Sequence, residues 1–209
     1  MSSPDFYFEK KIINKGKSPV CGVDEAGRGS LAGPVVSAAV ILNPTNIPEG
    51  LNDSKKLCPR RRENLYQAIM DTALSISVSS LSSRTIDTIN IHSASLITIA
   101  NAVKSLALRP EYALIDGNSV PHDLVCESTV LIKGDAKSLS ISAASIIAKV
   151  TRDQLMIAVG KLYPDYLFHK NKGYGTKEHL KRLKEKGPCP IHRYSFIPIM
   201  KAIQSCSLV

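Results

Sequence analysis

The chain has 209 residues, 44% of them hydrophobic and 22% charged. That is enough for one domain to bury roughly 70% of the surface its unfolded form would expose, with no need of metal or disulfide staples. No apolar run approaches the roughly 20 residues that span a bilayer, and the N-terminus, MSSPDFYFEKK, lacks the apolar core of a signal peptide. Lys and Arg total 27 against 18 for Asp and Glu, a formal charge of +9, which favours a polyanionic partner, nucleic acid ahead of a membrane surface. Cys21, Cys58, Cys126, Cys189 and Cys206 are scattered, with no C-x-x-C pair or zinc spacing. Free thiols in a reducing, cytoplasmic setting are the expectation.

Residues 1–18 read as a short leader. VCGVDE, Val20 to about Glu25, reads as a strand, and GRGSLAG after it as a turn-rich connector. PVVSAAVIL, Pro34 to Leu42, is a β-branched run and is expected as the hairpin partner of the first strand. NPTNIPEGLNDSKKL is loop. CPRRRENLYQAIMDTA is a helix, with Pro59 near its start and Leu65, Ile69 and Ala73 at i, i+4, i+8. LSISVSS alternates as a strand, and SSRTIDTINIHSASLITIANAVKSLAL is mostly helical. YALIDGNS is a short strand ending near Ile115 or Asp116, and STVLIKGD is another ending near Lys133. SLSISAASIIAKVTRDQLMIAVGKLYP is a long, largely buried helix ended by Pro164. TKEHLKRLKEKG is an exposed basic helix stopped by Gly187, and a last helix begins near Ile197. The order β-β-α-β-α-β-α predicts an α/β chain, a mixed sheet with helices on its faces.

Three of these strands run into acids: GVDE, ALID and LIKGD. In open α/β sheets, chemistry sits where strand ends meet loops. Asp24, Glu25, Asp116 and Asp135 are therefore expected to converge. Four clustered carboxylates repel one another, and a hard divalent cation with oxygen ligands, Mg²⁺ or Mn²⁺, resolves the conflict. Any one such acid alone reads as a turn or cap residue; the set, in a basic protein, points to a metal-dependent enzyme acting on phosphodiesters. Adjacent strand residues face opposite sides of a sheet, so a shared site for Asp24 and Glu25 requires a twist, bulge or turn at Gly27. Asp153, inside the long helix, is set apart as a structural acid paired with Arg152 or a neighbouring cation. The five histidines show no metal spacing, and His192 reads as structural support.

GVDEAGRGSLAGPVV, LNDSKKL, LIDGN, KGD…ISAASIIAKVTRD, HKNKGYGT and HRYSF together resemble bacterial ribonuclease HII, from about Cys21 to Pro198. The resemblance implies a ribonuclease H-like fold over residues 19–165, a mixed five-stranded sheet flanked by helices, with a C-terminal helical extension over 166–209 that contributes to substrate binding. It implies endonucleolytic cleavage of the RNA strand of RNA–DNA hybrids and at single ribonucleotides embedded in duplex DNA. The products would carry 5′-phosphate and 3′-hydroxyl ends, and Mn²⁺ or Mg²⁺ would serve. Asp24 would bridge two metals, Glu25 and Asp116 would each hold one, and Asp135 would complete the second site. The sister type HIII carries a sizeable extra N-terminal domain; about 20 residues precede the first motif here, so type HII is expected. A monomer is expected.

The resemblance also gives the Gly27-Arg28-Gly29 triplet and Tyr174 to the RNA–DNA junction. Backbone amides would reach the ribose 2′-hydroxyl, and the tyrosine ring would stack on the next sugar. Ser54, Lys55, Lys56 and Lys133 are placed as phosphate contacts, and HKNKGYGTKEHLKRLKEK as a cationic phosphate track. Two readings compete with the enzyme: a DNA junction resolvase of the same superfold, and a non-catalytic nucleic-acid-binding module. The triplet and Tyr174 argue against the first, because DNA has no 2′-hydroxyl to read; four carboxylates that repel phosphate argue against the second.

Overall fold

The structure is a computed structural model and describes residues 3–206, with side chains from 3 to 204. The first two residues of the leader, the last three of the expected extension and the Cys206 side chain lie outside the described residues. Five strands form one sheet in the order β3-β2-β1-β4-β5. β1 (Val20–Ala26) pairs antiparallel with β2 (Val35–Ile41), and β2 with β3 (Ser75–Leu81). β4 (Tyr112–Asp116) runs parallel to β1, and β5 (Glu127–Leu131) parallel to β4. The expected mixed five-stranded sheet is thus present.

β1 and β2 are apolar along their whole length because both faces are covered. Ala38 and Val40 point toward α2 (Pro59–Thr72) and α5 (Leu139–Gly160), in a core with Leu65, Ile69, Ala144 and Ile147. Ala39 and Ile41, one residue out of phase, meet Ile99, Ala102 and Val103 of α4 (Ile91–Lys104) on the other face. The small residues of α5 let it lie close: a Cβ on Gly22 of β1 would fall 2.0 Å from the Ser140 carbonyl carbon.

Three features depart from the sequence reading. The segment read as a leader contains a docked helix, α1 (Tyr7–Ile13), and Glu9 on it is fully buried. The helical stretch after β3 is two helices, α3 (Ser83–Ile89) and α4. Asn90 breaks it with φ +69° and caps α4 through its side chain, which accepts from the Ser93 amide. Residues 117–126, which join β4 to β5, are loop. The LIKGD segment is not strand to its acid: β5 stops at Leu131, Lys133 takes φ +56°, and Asp135 sits in a 3-10 turn, Gly134–Ala136. Beyond α5 come α6 (Phe168–Asn171), α7 (Lys177–Lys186, followed by Gly187 at φ +70°) and α8 (Ile197–Cys206). No helix among the described residues is long and apolar enough to cross a membrane. Cys21, Cys58, Cys126 and Cys189 are free.

Candidate active site

Strand register builds the centre of the site. β1 and β4 pair in parallel up to Val23 opposite Ile115. The next residue on each is an acid, so Asp24 and Asp116 stand side by side where the pairing of the two central strands ends, on the same face. Both line a cavity of about 420 Å³ together with Glu25, Gly27, Arg28, Gly29, Ser54, Lys55, Ser145, Lys149 and Tyr174. No bulge is needed to bring Glu25 there: the β1–β2 register runs unbroken to Ala26 opposite Val36, and the cavity opens at the strand's end.

The carboxylates are in electrostatic conflict. Burial pushes the Asp24 carboxyl well above the usual range, and the neighbouring Asp116 and Glu25 charges push it further; Ser145 and the Glu25 amide, which donates at 2.7 Å, work against this. Burial also raises Glu25, against the pull of Arg28, whose Nη1 lies 3.5 Å from Glu25 Oε1. Asp116 Oδ1 accepts from the Gly134 amide at 2.6 Å, which draws the Asp135 turn against it. Asp135 does not line the cavity; it is buried behind it, and burial followed by Asp53 and Asp116 raises its pKa to about 6. For Lys55, burial works against the charge, but Asp24, Asp135, Asp53 and Asp116 outweigh it and raise the pKa.

This oxygen-only donor set, with its unrelieved mutual repulsion, fits a hard divalent cation in kind. Among the described residues no group of three or more His, Cys, Asp or Glu side chains is gathered tightly enough to form a ready-made metal cage.

The GRG loop is shaped from below. Gly27 has φ +90°, and a Cβ there would lie 1.9 Å from Arg152 Nε, whereas Gly29 faces open space. Arg193, fully buried, donates to the carbonyl oxygens of Gly27 (2.7 Å), Arg28 (2.9 Å), Gly33 (3.1 Å) and Pro34 (3.2 Å). Arg152, equally buried, donates to those of Ala32, Pro34 and Lys172. The Leu31 amide donates to Gly173 O at 2.8 Å, which straps the Tyr174 loop to the GRG loop. The Tyr174 ring lies under two cations, Lys149 Nζ at 5.0 Å and the Arg152 guanidinium at 5.3 Å from its centroid.

The remaining expected residues differ in placement. Ser54 is buried, with its hydroxyl 2.9 Å from that of Ser145, so it supports Asp24 through Ser145. Lys56 and Lys133 are exposed and lie outside the cavity lining. Asp153 pairs with Lys149 at 2.7 Å and Arg62 at 3.7 Å, the neighbouring cations, and not with Arg152. The sequence reading missed Asp53, Lys149, Arg152 and Arg193 as parts of the site. Asp53 and Arg193 lie inside the LNDSKKL and HRYSF segments, and Lys149 is one turn before Asp153 on α5, a spacing that predicts their pairing.

A sequence model of the family Ribonuclease HII matches residues 21–199. The chain belongs to the ribonuclease HII family. It is 51% identical to the ribonuclease HII of Rhizobium etli over 95% of this chain and 86% of that protein. It is 49% identical to that of Brucella suis over 94% and 90%. The crystal structure of the ribonuclease H2 from Pyrococcus horikoshii superimposes with a TM-score of 0.73 and 29% identity, covering 88% of this chain and 97% of that one. The fold is therefore ribonuclease H-like, and the chain is a nuclease, a ribonuclease H acting on RNA–DNA hybrids. Membership in the ribonuclease HII family decides against a resolvase or a non-catalytic module. The crystal structure of Bst-RNase HIII, 20% identical to this chain with a TM-score of 0.69, is of a complex with Mn²⁺.

Proposed function

We propose that this ribonuclease HII cuts both RNA–DNA hybrids and single ribonucleotides embedded in duplex DNA, leaving 5′-phosphate and 3′-hydroxyl ends. Asp24, Glu25, Asp116 and Asp135 hold a pair of divalent cations, Mg²⁺ or Mn²⁺. The metal, when bound, supplies the charge that makes water a nucleophile at neutral pH and stabilises the leaving 3′-oxygen. The carrying observation is the β1–β4 register, which sets Asp24 beside Asp116 in the same cavity as the GRG loop and Tyr174.

The rest follows from the chain's own groups. Asp24 and Asp116, on buried central strands, hold their carboxylates with little freedom. Ser145 and the Glu25 amide keep Asp24 oriented. Arg28, Lys55 and Lys149 ring the acids and offset the repulsion a phosphate would meet there. The exposed amides of residues 28 and 29 offer donors to a ribose 2′-hydroxyl, and the Tyr174 ring offers a flat face to the adjoining sugar. Phosphates further along the duplex lie on the basic α7.

The test uses labelled DNA carrying one ribonucleotide beside an all-DNA duplex, with and without chelator. Only the first should be cut, and chelator should abolish the cut. Asp116→Asn should lower kcat/KM by about a hundredfold or more; undiminished cleavage by this variant with metal present overturns the assignment.

A further inference from the structure

Behind Tyr174 a hydrogen-bond chain runs away from the cavity. His179 Nδ1 lies 2.9 Å from the Tyr174 carbonyl oxygen, His179 Nε2 lies 3.0 Å from His192 Nε2, and the Cys189 amide donates to His192 Nδ1 at 2.9 Å. Both rings are fully buried, packed against Tyr166 and Phe168.

The protons on this chain are assignable. A carbonyl only accepts, so His179 carries its proton on Nδ1 and presents a lone pair at Nε2. His192 must then donate from Nε2, which leaves its Nδ1 free to accept from the Cys189 amide. The Cys189 amide at the far end agrees with this arrangement. One contact opposes it: His192 Nδ1 is also 3.2 Å from the Cys189 carbonyl oxygen, which would suit the other tautomer. The amide contact is shorter and agrees with His179. The Nε2–Nε2 gap holds a single proton, so the two rings cannot both be cationic. Burial lowers the pKa of each, and His179 lowers that of His192 further, to about 4.

We propose that His179 and His192 are positioning residues, whose one-way hydrogen-bond chain from Cys189 to the Tyr174 carbonyl fixes the Tyr174 ring against the cavity. The loop has reason to need this. Gly173, at φ +81°, and Gly175 flank the tyrosine, and glycine-rich backbone holds no ring in place unaided. Lys149 and Arg152 touch the ring itself, whereas His179 holds the peptide that carries it. The inference rests on the proposed contact between Tyr174 and substrate.

A double-mutant cycle on DNA with one embedded ribonucleotide tests it, reading kcat/KM together with Tm. His179→Phe keeps a ring among Tyr166 and Phe168 but donates nothing. It should cost about tenfold to a hundredfold in the wild-type background and almost nothing beside Tyr174→Ala. His179→Asn, which can place an N–H where Nδ1 was, should recover most of the loss. Equal losses in both backgrounds overturn the positioning role while leaving the tyrosine's substrate contact standing. Undiminished cleavage by Tyr174→Ala alone overturns the substrate contact itself, and the inference with it. Should His179→Phe fail to fold, long-range ¹H–¹⁵N spectra of the wild-type protein at pH 7 decide. His179 should be protonated on Nδ1 and His192 on Nε2, and the reverse in either ring overturns the chain.

Discussion

Arg152 and Arg193 are both fully buried, and neither is in an ion pair among the described residues. Their hydrogen bonds go to seven carbonyl contacts of the 27–34 and 172 backbone. Carbonyl oxygens compensate the lost hydration without cancelling the charge. The two guanidiniums therefore mould the GRG loop and also leave positive potential beneath it. This separates the two glycines of the triplet. Gly27→Ala forces a positive φ on a residue with a Cβ, costing about 1–3 kcal/mol, and drives that Cβ into Arg152. It should lower the urea midpoint and activity together. Gly29→Ala meets no protein atom, so its Tm should stay within a degree or two while affinity for a ribonucleotide-bearing duplex falls. A Gly29→Ala variant that unfolds early would contradict this division. The acids and the triplet were legible in the sequence because each stands out against its apolar or glycine-rich surroundings. Arg193 was not, since nothing in HRYSF tells a buried arginine from a surface one.

At the scale of elements, α5 is the organiser. Its middle covers β1, its Ser145 reaches Asp24, and its C-terminal half supplies Lys149 and Arg152. Its N-terminus is held by another element: Glu9 of α1 accepts from the Ser138 hydroxyl at 2.6 Å and the Ser140 amide at 2.9 Å. A carboxylate at that end satisfies a free amide and complements the helix dipole. Glu9→Ala should cost about 1–2 kcal/mol, measured by urea denaturation, and a change below a few tenths would show that α1 merely lies alongside. The five strands and α5 were readable because buried runs and helical periodicity mark them. The Asp135 turn was not, because apolar residues continue past Leu131 to the exposed Ile132. Nor was the break at Asn90, where helix-forming sequence continues on both sides and only a positive φ divides it. The docking of α1 on α5 is a contact between distant parts of the chain, and local pattern carries no trace of it.

For the whole molecule, stability and acidity are linked through the histidine pair. The folded-state pKa of His192, about 4, lies below its ordinary value of 6.5, so the unfolded chain takes up the proton first. Its contribution is complete above about pH 6.5 and is lost as pH falls toward 4, by about 3 kcal/mol in all. Asp24 and Asp135, with raised pKa values, act in the opposite sense. The measurement is therefore the Tm difference between wild type and His192→Gln. Wild type should lose ground to the variant between pH 6.5 and 4, and a constant difference would show that His192 does not titrate differently on unfolding. The parallel meeting of β1 with β4 has a consequence for how the enzyme comes into being. Asp24 and Asp116 are neighbours in space, yet β2, β3 and three helices lie between them along the chain. A growing polypeptide carries its first two acids long before the third is made, and a partly folded one has helices before it has that pairing. On the proposed assignment, cleavage therefore requires β1 and β4 to have paired first.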